Sequence, residues 1–188
     1  LQSIAEFYPK TFAIEVIVVN NNSIDDTSTT LSDFSNTYAW LRIVNESQQG
    51  LSNARNTGYK SAKHSWILYL DDDAKIEQHL FDRVFTHIKS STYKCLGGLY
   101  LPWYETKKPK WFRDKWASNQ LKYSDVQNLQ SNKFASGGVL LIHKDLLVAH
   151  DGFNPKYGMH GTHTWYGEET ELQQRIRKTG NQIAYDPK

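Results

Sequence analysis

The strongest chemical signal in the sequence is a run of three aspartates, Asp71, Asp72 and Asp73, directly after the apolar run at residues 66–70. A short apolar run is typical of a buried strand, so the carboxylates are expected at the carboxyl end of a strand, where open α/β sheets bind ligands. Adjacent carboxylates repel one another unless a cation compensates, and oxygen ligands suit Mg²⁺ or Mn²⁺. The run predicts a divalent-metal site, with an acidic turn that caps the next helix as the alternative.

An alternation of strand and helix signals must position these carboxylates. Apolar or β-branched runs predict strands at residues 15–19, 40–44, 66–70, 96–101 and 138–142. Helical spacing predicts one helix through Leu51, Ala54, Gly58 and Ala62 with Ser52 as its cap, a second through Leu80, Val84 and Ile88, and a third over residues 167–179. Alternating strands and helices of this kind are typical of an α/β domain with a largely parallel sheet.

Length, composition and absent motifs narrow the functional classes. The 188 residues suit one domain, and a formal charge of +2 is too even to indicate a nucleic-acid partner. No GxxxxGK(S/T) or GxGxxG pattern occurs, which argues against a P-loop or Rossmann site. No run approaches the ~20 apolar residues of a membrane span, and residues 1–6 lack the features of a signal peptide. We therefore expect a cytoplasmic protein, or one peripheral on the inner face of a membrane.

Four motifs, in order along the chain, resemble those of family-2 glycosyltransferases with a GT-A fold. They are residues 18–27 (VVNNNSIDDT), 50–58 (GLSNARNTG), 70–73 (LDDD) and 167–175 (GEETELQQR). The first is similar to the family's nucleotide-binding turn, the third to its metal-binding DxD motif and the fourth to its acidic motif on a late helix. The resemblance implies an α/β GT-A fold whose mixed, mostly parallel sheet is flanked by helices. It also implies a single domain 1–188, with a nucleotide-binding half at 1–100 and an acceptor-binding half at 101–188.

The resemblance further implies metal-dependent transfer of a sugar, usually with inversion, from a nucleotide-diphosphate donor such as a UDP-sugar to an acceptor hydroxyl. Mn²⁺ or Mg²⁺ would neutralise the leaving diphosphate. The residues implied for the donor are Asn20, Asn22, Asp25, Arg55, Asp71 and Asp72, and those for the metal are Asp71 and Asp73. Asn20 stands where many members have Asp, and Asp25 has the alternative role of capping the next helix. The acceptor would be a glycan or a lipid-linked molecule, as in polysaccharide synthesis.

On the acceptor side, the resemblance places the general base at Glu169, where the family usually has Asp. The longer side chain can do the same chemistry but changes where the acceptor must lie. The alternative is that these acidic residues only complement the positive end of a helix dipole. Acceptor contacts are expected at Glu168, Gly138, Trp103 and Trp165, with the small residue at 138 leaving room for the sugar.

Residues 103–116 (WYETKKPKWFRDKW) mix aromatic and cationic side chains. Aromatic rings stack on sugars, and the same mixture suits a membrane interface that carries a lipid-linked acceptor. A third interpretation is that the tryptophans only pack this segment onto the domain. A single-strand nucleic-acid platform has a similar composition, but the DxD motif argues against it. We expect acceptor contact, with peripheral membrane contact and packing as the alternatives.

Two other functions compete with sugar transfer. A nucleotidyltransferase also uses carboxylates and a metal, but it would need a basic phosphate loop near the N-terminus, and the sequence shows none. The second is a nucleotide- or sugar-binding module without turnover. Residues 1–8 resemble the helix that follows the first strand of family members. The resemblance therefore implies a domain without that strand and without the family's C-terminal extension.

Overall fold

The computed structural model describes residues 1–160, 163–164 and 166–188. Its α-helices are α1 (Gln2–Glu6), α2 (Thr27–Thr37), α3 (Leu51–Ser61), α4 (Leu80–Ser90), α5 (Lys144–Ala149) and α6 (Glu168–Lys178), with a 3₁₀ turn at Asp114–Trp116. Its strands are β1 (Val16–Asn20), β2 (Leu41–Asn45), β3 (Trp66–Leu70), β4 (Cys95–Gly97), β5 (Gln127–Asn128), β6 (Val139–His143), β7 (Met159–His160), β8 (His163–Thr164) and β9 (Ala184–Tyr185). None of the helices in this described part combines the length and apolar character that crossing a bilayer requires.

The strands pair into a parallel pair, a five-stranded mixed sheet and a short hairpin. β1 lies parallel to β2, and the larger sheet has the order β3-β6-β4-β9-β5. β3 and β4 both run antiparallel to β6, and β9 runs parallel to β4, so β3, β4 and β9 share one direction. β5 is antiparallel to β9, and β7 and β8 form the hairpin. The α/β architecture predicted from the sequence is confirmed.

Helix α3 contacts both β1 and β3 and thereby brings the second motif beside the aspartates. Gly58 faces Val19 of β1 closely enough that an added Cβ would lie 3.6 Å from the Val19 Cγ2, an ordinary contact distance. On the other side, the Tyr69 hydroxyl of β3 donates to the Arg55 carbonyl at 3.2 Å. Because Asp71 follows β3 by one residue, this packing sets Arg55 next to the aspartate run.

The buried face of α3 is polar, which the sequence prediction missed. Its buried residues are Ser52, Arg55, Asn56 and Tyr59. The expected apolar face through Leu51, Ala54 and Gly58 is only partly buried. The reason is that backbone carbonyls, a backbone amide and a carboxylate from the C-terminal part of the chain offer hydrogen-bond partners to the polar side chains. Buried polar groups with such partners cost little on burial.

Ser52 is not the cap of α3, and that expectation is wrong. The helix begins after Gly50, which has φ 136°, a backbone conformation that favours glycine. The Ser52 hydroxyl donates instead to the Tyr157 carbonyl at 2.8 Å. A residue expected to start a helix therefore holds the segment before α6 against α3.

Only β3 has the expected boundaries among the five predicted strands. β1, β2 and β6 each begin and end one residue later than expected. β4 begins one residue earlier, at Cys95, and ends at Gly97 instead of continuing to residue 101. An added Cβ on Gly98 would lie 2.6 Å from the Val139 Cγ1, so the chain passes too close to β6 for a side chain there. Beyond this point the Tyr100 amide donates to the Asn119 side chain, not to a neighbouring strand.

The main core lies between the five-stranded sheet and helices α5 and α6. Its most deeply buried members are Cys95, Leu140, Ile142, Leu147, Phe153, Leu172, Ile176, Ile183 and Tyr185. Leu172 and Ile176 are fully buried, so the helical spacing predicted the core-facing side of α6 correctly. This core fixes α6, and with it the two glutamates at the start of the helix.

Truncation of Ile176 to alanine is expected to lower the free energy of unfolding by about 2–5 kcal/mol, because it leaves a cavity in a fully packed core. Urea denaturation followed by circular dichroism measures the change. Gln174→Ala on the exposed side of the same helix is the matched control and should change this free energy by less than about 0.5 kcal/mol. Equal losses in the two variants would contradict the packing of α6 described above.

Candidate functional site

Arg55 belongs to the motif at residues 50–58 and contacts one acidic residue in each of the two motifs that follow it. Its guanidinium donates to the Glu168 carboxylate at 2.6 Å and lies 3.6 Å from the nearer Asp71 carboxylate oxygen. It also lies over the Phe153 ring, 5.4 Å from the ring centre. The Arg55 and Glu168 side chains are only 9% and 5% exposed, whereas the Asp71 side chain is 50% exposed. The site is therefore a buried ion pair beneath an aspartate that faces solvent.

Two glycines allow this close arrangement. An added Cβ on Gly137 would lie 2.5 Å from an Arg55 guanidinium nitrogen, and one on Gly138 would lie 2.6 Å from an Asp71 carboxylate oxygen. The sequence predicted that a small residue at 138 leaves room for the acceptor sugar. In the structure, the space beside Gly138 is taken by the Asp71 carboxylate. The absence of a side chain at Gly138 thus leaves the space that the Asp71 carboxylate occupies.

Substitution of Gly138 by alanine is expected to displace Asp71 and to weaken the metal-dependent nucleotide binding that the sequence predicts by about tenfold or more, the scale of a lost metal-site positioning contact. The fold should persist, because the half-exposed Asp71 side chain can move toward solvent. Calorimetric titration with UDP and Mn²⁺ measures the change. Gly58→Ala, where the added Cβ has ordinary space, is the control. Unchanged affinity in Gly138→Ala would show that Asp71 does not need this position.

The aspartates after β3 offer oxygen ligands at an open edge of the sheet. Asp71, Asp72 and Asp73 are all exposed. Burial raises the pKa of Asp71, Arg55 opposes the shift, and the neighbouring charges of Asp73, Asp72 and Glu168 add to it. A dense negative charge with a single buried guanidinium beneath it favours a cation.

The aspartate run fits a divalent ion that is shared with a substrate. Among the side chains that the structure describes, in residues 1–159 and 166–188, no three of His, Cys, Asp or Glu converge as a complete metal cage. Mg²⁺ is usually held by one or two carboxylates together with phosphate oxygens and water, and not by a full set of protein ligands. Exposed carboxylates of this kind suit that mode of binding.

Glu168 and Glu169 begin α6 with different environments. Glu168 is buried in the ion pair with Arg55, and an added Cβ on Gly158 would lie 3.2 Å from its carboxylate. Glu169 is partly exposed and carries no ion pair in the described part of the chain. Burial raises the pKa of Glu169, the charge of Glu168 adds to this shift, and Arg55 opposes it. A carboxylate whose pKa is raised is a stronger base than an ordinary glutamate.

The turn after β1 presents two predicted donor residues to solvent and turns one inward. Asn22 and Asp25 are exposed, with Asn22 in the left-handed region at φ 58°. The Asn20 side chain donates to the Ser28 hydroxyl at 2.9 Å and accepts from the Ser23 amide at 3.1 Å. Its amide therefore shapes the turn from within, whereas Asn22 and Asp25 are accessible to a ligand.

Asp25 is not the cap of helix α2, so the alternative interpretation is wrong: the helix begins after Asp26, whose side chain makes no capping hydrogen bond. The Asp25 carboxylate lies one residue earlier and accepts from the Thr27 amide at 3.1 Å. Hydrogen bonds from Thr27 hold the pKa of Asp25 below its ordinary value. The carboxylate is thus ionised at neutral pH, and one of its oxygens already accepts a hydrogen bond from a backbone amide.

Asn21 is a residue of this site that sequence reasoning missed. Its side chain donates to the Glu46 and Gln48 carbonyls at 3.1 and 2.8 Å and accepts from the Gly50 amide at 2.7 Å. It thereby joins the turn after β1 to the start of α3. A run of three asparagines directly after a strand is a turn signal, but nothing in it distinguishes the member that crosses to another loop.

Asn56 is a second missed residue, and it holds the segment that leads to α6. It donates to the Phe153 carbonyl at 2.7 Å and accepts from the Phe153 amide at 2.8 Å. Asn56, Ser52 and Arg55 thus each hold one residue from the C-terminal part of the chain, which are Phe153, Tyr157 and Glu168 respectively. An asparagine inside a helix is unfavourable by propensity, which was the available sequence signal.

Trp103 is one of the two predicted aromatic acceptor contacts. It lies near the loop at residues 71–75, which we call the aspartate loop. The Lys75 ammonium lies 3.9 Å from the centre of the Trp103 ring, and Lys75 follows the aspartates by two residues. Trp103 is 41% exposed, so part of the ring is available to a ligand. Trp165 lies outside the described residues.

Solved structures with the same architecture carry nucleotides. The chain aligns with TarS residues 1–349 of S. aureus in complex with UDP at a TM-score of 0.66 and 16% identity, covering 98% of this chain and 52% of that one. The mannosyltransferase PcManGT from Pyrobaculum calidifontis, in complex with GDP-Man and Mn²⁺, aligns at 0.66 and 16%, covering 99% and 52%. The fold and the aspartate-bearing sheet edge define the class of GT-A glycosyltransferase domains.

Sequence comparison then gives the family. The profile of glycosyl transferase family 2 matches residues 1–150, and the chain belongs to this family. The chain is similar to glycosyltransferase AglE of Haloferax volcanii, with 34% identity over 95 residues, which cover 50% of this chain and 31% of AglE. It is also similar to the uncharacterized glycosyltransferase EpsJ of Bacillus subtilis, with 31% identity over 88 residues, which cover 46% and 26%. The matched segment is about a third of these relatives or less.

Proposed function

We propose that this domain transfers a sugar from a UDP-sugar to an acceptor hydroxyl with inversion, using Mn²⁺ or Mg²⁺ at Asp71 and Asp73. The observation that carries the proposal is the Arg55 ion pair, which fixes the aspartate run and the start of α6 around one point. Groups that bind the donor and groups that bind the acceptor must lie next to each other, because the reacting atoms must be held about 3 Å apart. We assign residues 1–100 to the donor half and residues 101–188 to the acceptor half.

The donor side is built from exposed polar groups around the aspartate run. Asn22 and Asp25 face solvent at the turn after β1 and would contact the nucleoside, with Asn20 shaping that turn. We propose that Asp72 contacts the ribose and diphosphate, with the Arg55 guanidinium, 3.6 Å from Asp71, adding positive charge below them. A divalent ion held here would neutralise the charge of the leaving diphosphate. The UDP, UDP-GlcNAc and GDP-Man complexes of structurally similar enzymes support a nucleotide-sugar donor.

On the acceptor side, Glu169 takes the proton of the attacking hydroxyl. The acceptor oxygen forms its bond to the anomeric carbon while the bond from that carbon to the diphosphate oxygen breaks, and the electron pair leaves with UDP. Attack from the face opposite the diphosphate inverts the anomeric centre. The raised pKa of Glu169 suits a group that must accept a proton. The Glu168 carboxylate positions α6 through Arg55.

The acceptor is proposed to be a glycan or a lipid-linked molecule. Trp103, beside the aspartates and partly exposed, offers a ring face for a sugar. Trp165 and Gly138 are proposed as further acceptor contacts. A relative of the chain is the poly-beta-1,6-N-acetyl-D-glucosamine synthase of Staphylococcus epidermidis, at 32% identity over 63 residues, which cover 34% of this chain and 15% of that protein. This supports a role in polysaccharide synthesis.

Calorimetric titration of the chain with UDP, with and without Mn²⁺, tests the donor and metal proposal. Binding that requires Mn²⁺ is expected, because the exposed carboxylates and the diphosphate would otherwise repel one another. A matched titration with ADP in place of UDP tests whether the site distinguishes the nucleobase. Equal UDP binding with and without Mn²⁺ would contradict the metal assignment. Metal-dependent binding without release of UDP from any UDP-sugar and acceptor would favour the alternative, a binding module without turnover.

A further inference from the structure

Residues 104–116 present an exposed group of aromatic rings outside the proposed transfer site. The rings of Tyr104, Trp111 and Trp116 surround Phe112 at centre-to-centre distances of 6.1, 5.8 and 5.8 Å. Trp111 is 71% exposed and Trp116 is 59% exposed, whereas Phe112 is partly buried. We call these four residues the aromatic cluster. Packing alone does not account for it, because its two tryptophans keep most of their surface in solvent.

The same segment is positively charged. It contains five Lys or Arg residues against two carboxylates, a net charge of +3. Lys108 pairs with Asp114 at 3.0 Å. Lys107, Lys110 and Lys115 are exposed and have no ion pair with any described residue. Three lysines beside exposed tryptophans thus remain available to an anionic partner.

The arrangement of the rings distinguishes between anionic partners. Single-stranded nucleic acid stacks its bases on open ring faces, but here the rings meet edge to face, at interplanar angles of 71–90°. The Arg113 guanidinium also lies 6.0 Å from the Trp116 ring centre, over the ring. A phospholipid surface needs no stacking. It accepts tryptophan and tyrosine at the headgroup level and attracts lysines to its negative charge.

We propose that the aromatic cluster, together with Lys107, Lys110 and Lys115, docks this domain onto the surface of an anionic phospholipid membrane. The contact is peripheral: the tryptophans enter the headgroup region and the lysines face lipid phosphates. Trp103, directly before the segment, contacts Lys75 of the aspartate loop, so docking holds the proposed transfer site close to the membrane. The proposal goes beyond sugar transfer and does not depend on it, because membrane binding is measured without donor or acceptor.

Co-sedimentation with vesicles tests the proposal. The chain is mixed with vesicles of phosphatidylcholine alone or with 30% phosphatidylglycerol, in low and high salt. We expect binding to the anionic vesicles with a blue shift of tryptophan fluorescence, and at least tenfold weaker binding to neutral vesicles or in high salt, since surface charge is screened within a Debye length. Equal binding to both vesicle types, or none to either, would overturn the proposal.

Variants identify the surface. Lys107→Glu/Lys110→Glu is expected to weaken binding to anionic vesicles by about tenfold or more, because each lysine near a charged membrane contributes about 1 kcal/mol. Trp111→Ala/Trp116→Ala is expected to weaken it by about tenfold or more as well, because it removes the rings that enter the headgroup region. The matched controls are Lys10→Glu/Lys178→Glu, which make the same charge change at exposed lysines outside the segment, and Val148→Ala at another exposed apolar residue. Far-ultraviolet circular dichroism confirms that each variant is folded. If the controls weaken binding as much as the segment variants, or if a single-stranded RNA competes the chain off the vesicles at low concentration, the assignment to a membrane is wrong.

Discussion

Replacement of Glu169 by glutamine is expected to lower the rate of sugar transfer by about 100-fold or more, because the acceptor hydroxyl loses the general base that we propose for it. Donor binding should be unchanged, since the aspartates and Arg55 keep their positions. Release of UDP from a UDP-sugar in the presence of an acceptor measures the rate, and calorimetry measures donor affinity. Transfer that survives in Glu169→Gln would remove Glu169 from this role.

Glu171→Gln is the matched control for Glu169→Gln. Glu171 lies two residues further along the same helix and pairs with Arg175 at 2.7 Å, away from the Arg55 ion pair. Its loss should leave the transfer rate within about twofold of wild type, because Arg175 keeps its hydrogen bonds to the His150 and Gly152 carbonyls and an i, i+4 pair contributes only a few tenths of a kcal/mol. Equal losses in both variants would point to damage of α6 and not to a missing base.

The pH dependence of transfer is a further readout of Glu169. Burial and the neighbouring charge of Glu168 raise its pKa, so the base loses its charge at a higher pH than an exposed glutamate does. The rate should therefore fall as the pH drops through this raised pKa, and the residual rate of Glu169→Gln should lack that step. In the folded state the ionised form is disfavoured, so Glu169→Gln should keep or raise the melting temperature at pH 7.

Replacement of Arg55 by methionine is expected to lower the free energy of unfolding by about 3–5 kcal/mol, because it leaves the Glu168 carboxylate buried and unpaired. Metal-dependent UDP binding should also be lost, since nothing then holds Asp71 next to Gly138 and α3. Urea denaturation and calorimetry measure the two effects. A stability within 1 kcal/mol of wild type would show that the pair is not a buried ion pair in solution.

A double variant separates stability from function at this pair. In Arg55→Met/Glu168→Met, both charges are absent, and apolar side chains of similar volume replace them. Such replacements are often neutral or stabilising, so the free energy of unfolding should return toward the wild-type value, whereas UDP binding should not return. Arg42→Met is the matched control: Arg42 is 40% exposed and pairs with Glu15 at 3.2 Å. Its loss should cost about 1 kcal/mol or less.

Some of the site could be predicted because it is local in sequence. The aspartates follow β3 directly, so their position at a strand end needs only the apolar run before them. Helix α6 begins at the predicted acidic residues, and its buried side follows from the spacing of Leu172 and Ile176. Alternation of strands and helices was enough to predict the α/β class. Each of these depends on neighbours a few residues apart.

Other parts depend on contacts between distant residues. Arg55 and Glu168 are 113 residues apart, and a lone arginine on a helix is typical of a solvent-exposed residue. The polar face of α3 was missed because its hydrogen-bond partners come from a segment that only the folded chain brings near. Asp186 is similar: it is buried and accepts from both Arg83 and His87 of α4, and nothing near it in sequence indicates this.

The sequence by itself determined that the chain carries an aspartate run at the end of an apolar strand, acidic residues at the start of a late helix, and an α/β succession between them. Residue types and local spacing are sufficient for these features. Only the tertiary structure decided that Arg55 lies between the two acidic groups and that the Asp71 carboxylate occupies the space beside Gly138. The same holds for Glu168, which is buried while Glu169 remains accessible. The physical reason is that burial and pairing of a charge depend on which distant segments surround it, and helix packing sets those neighbours.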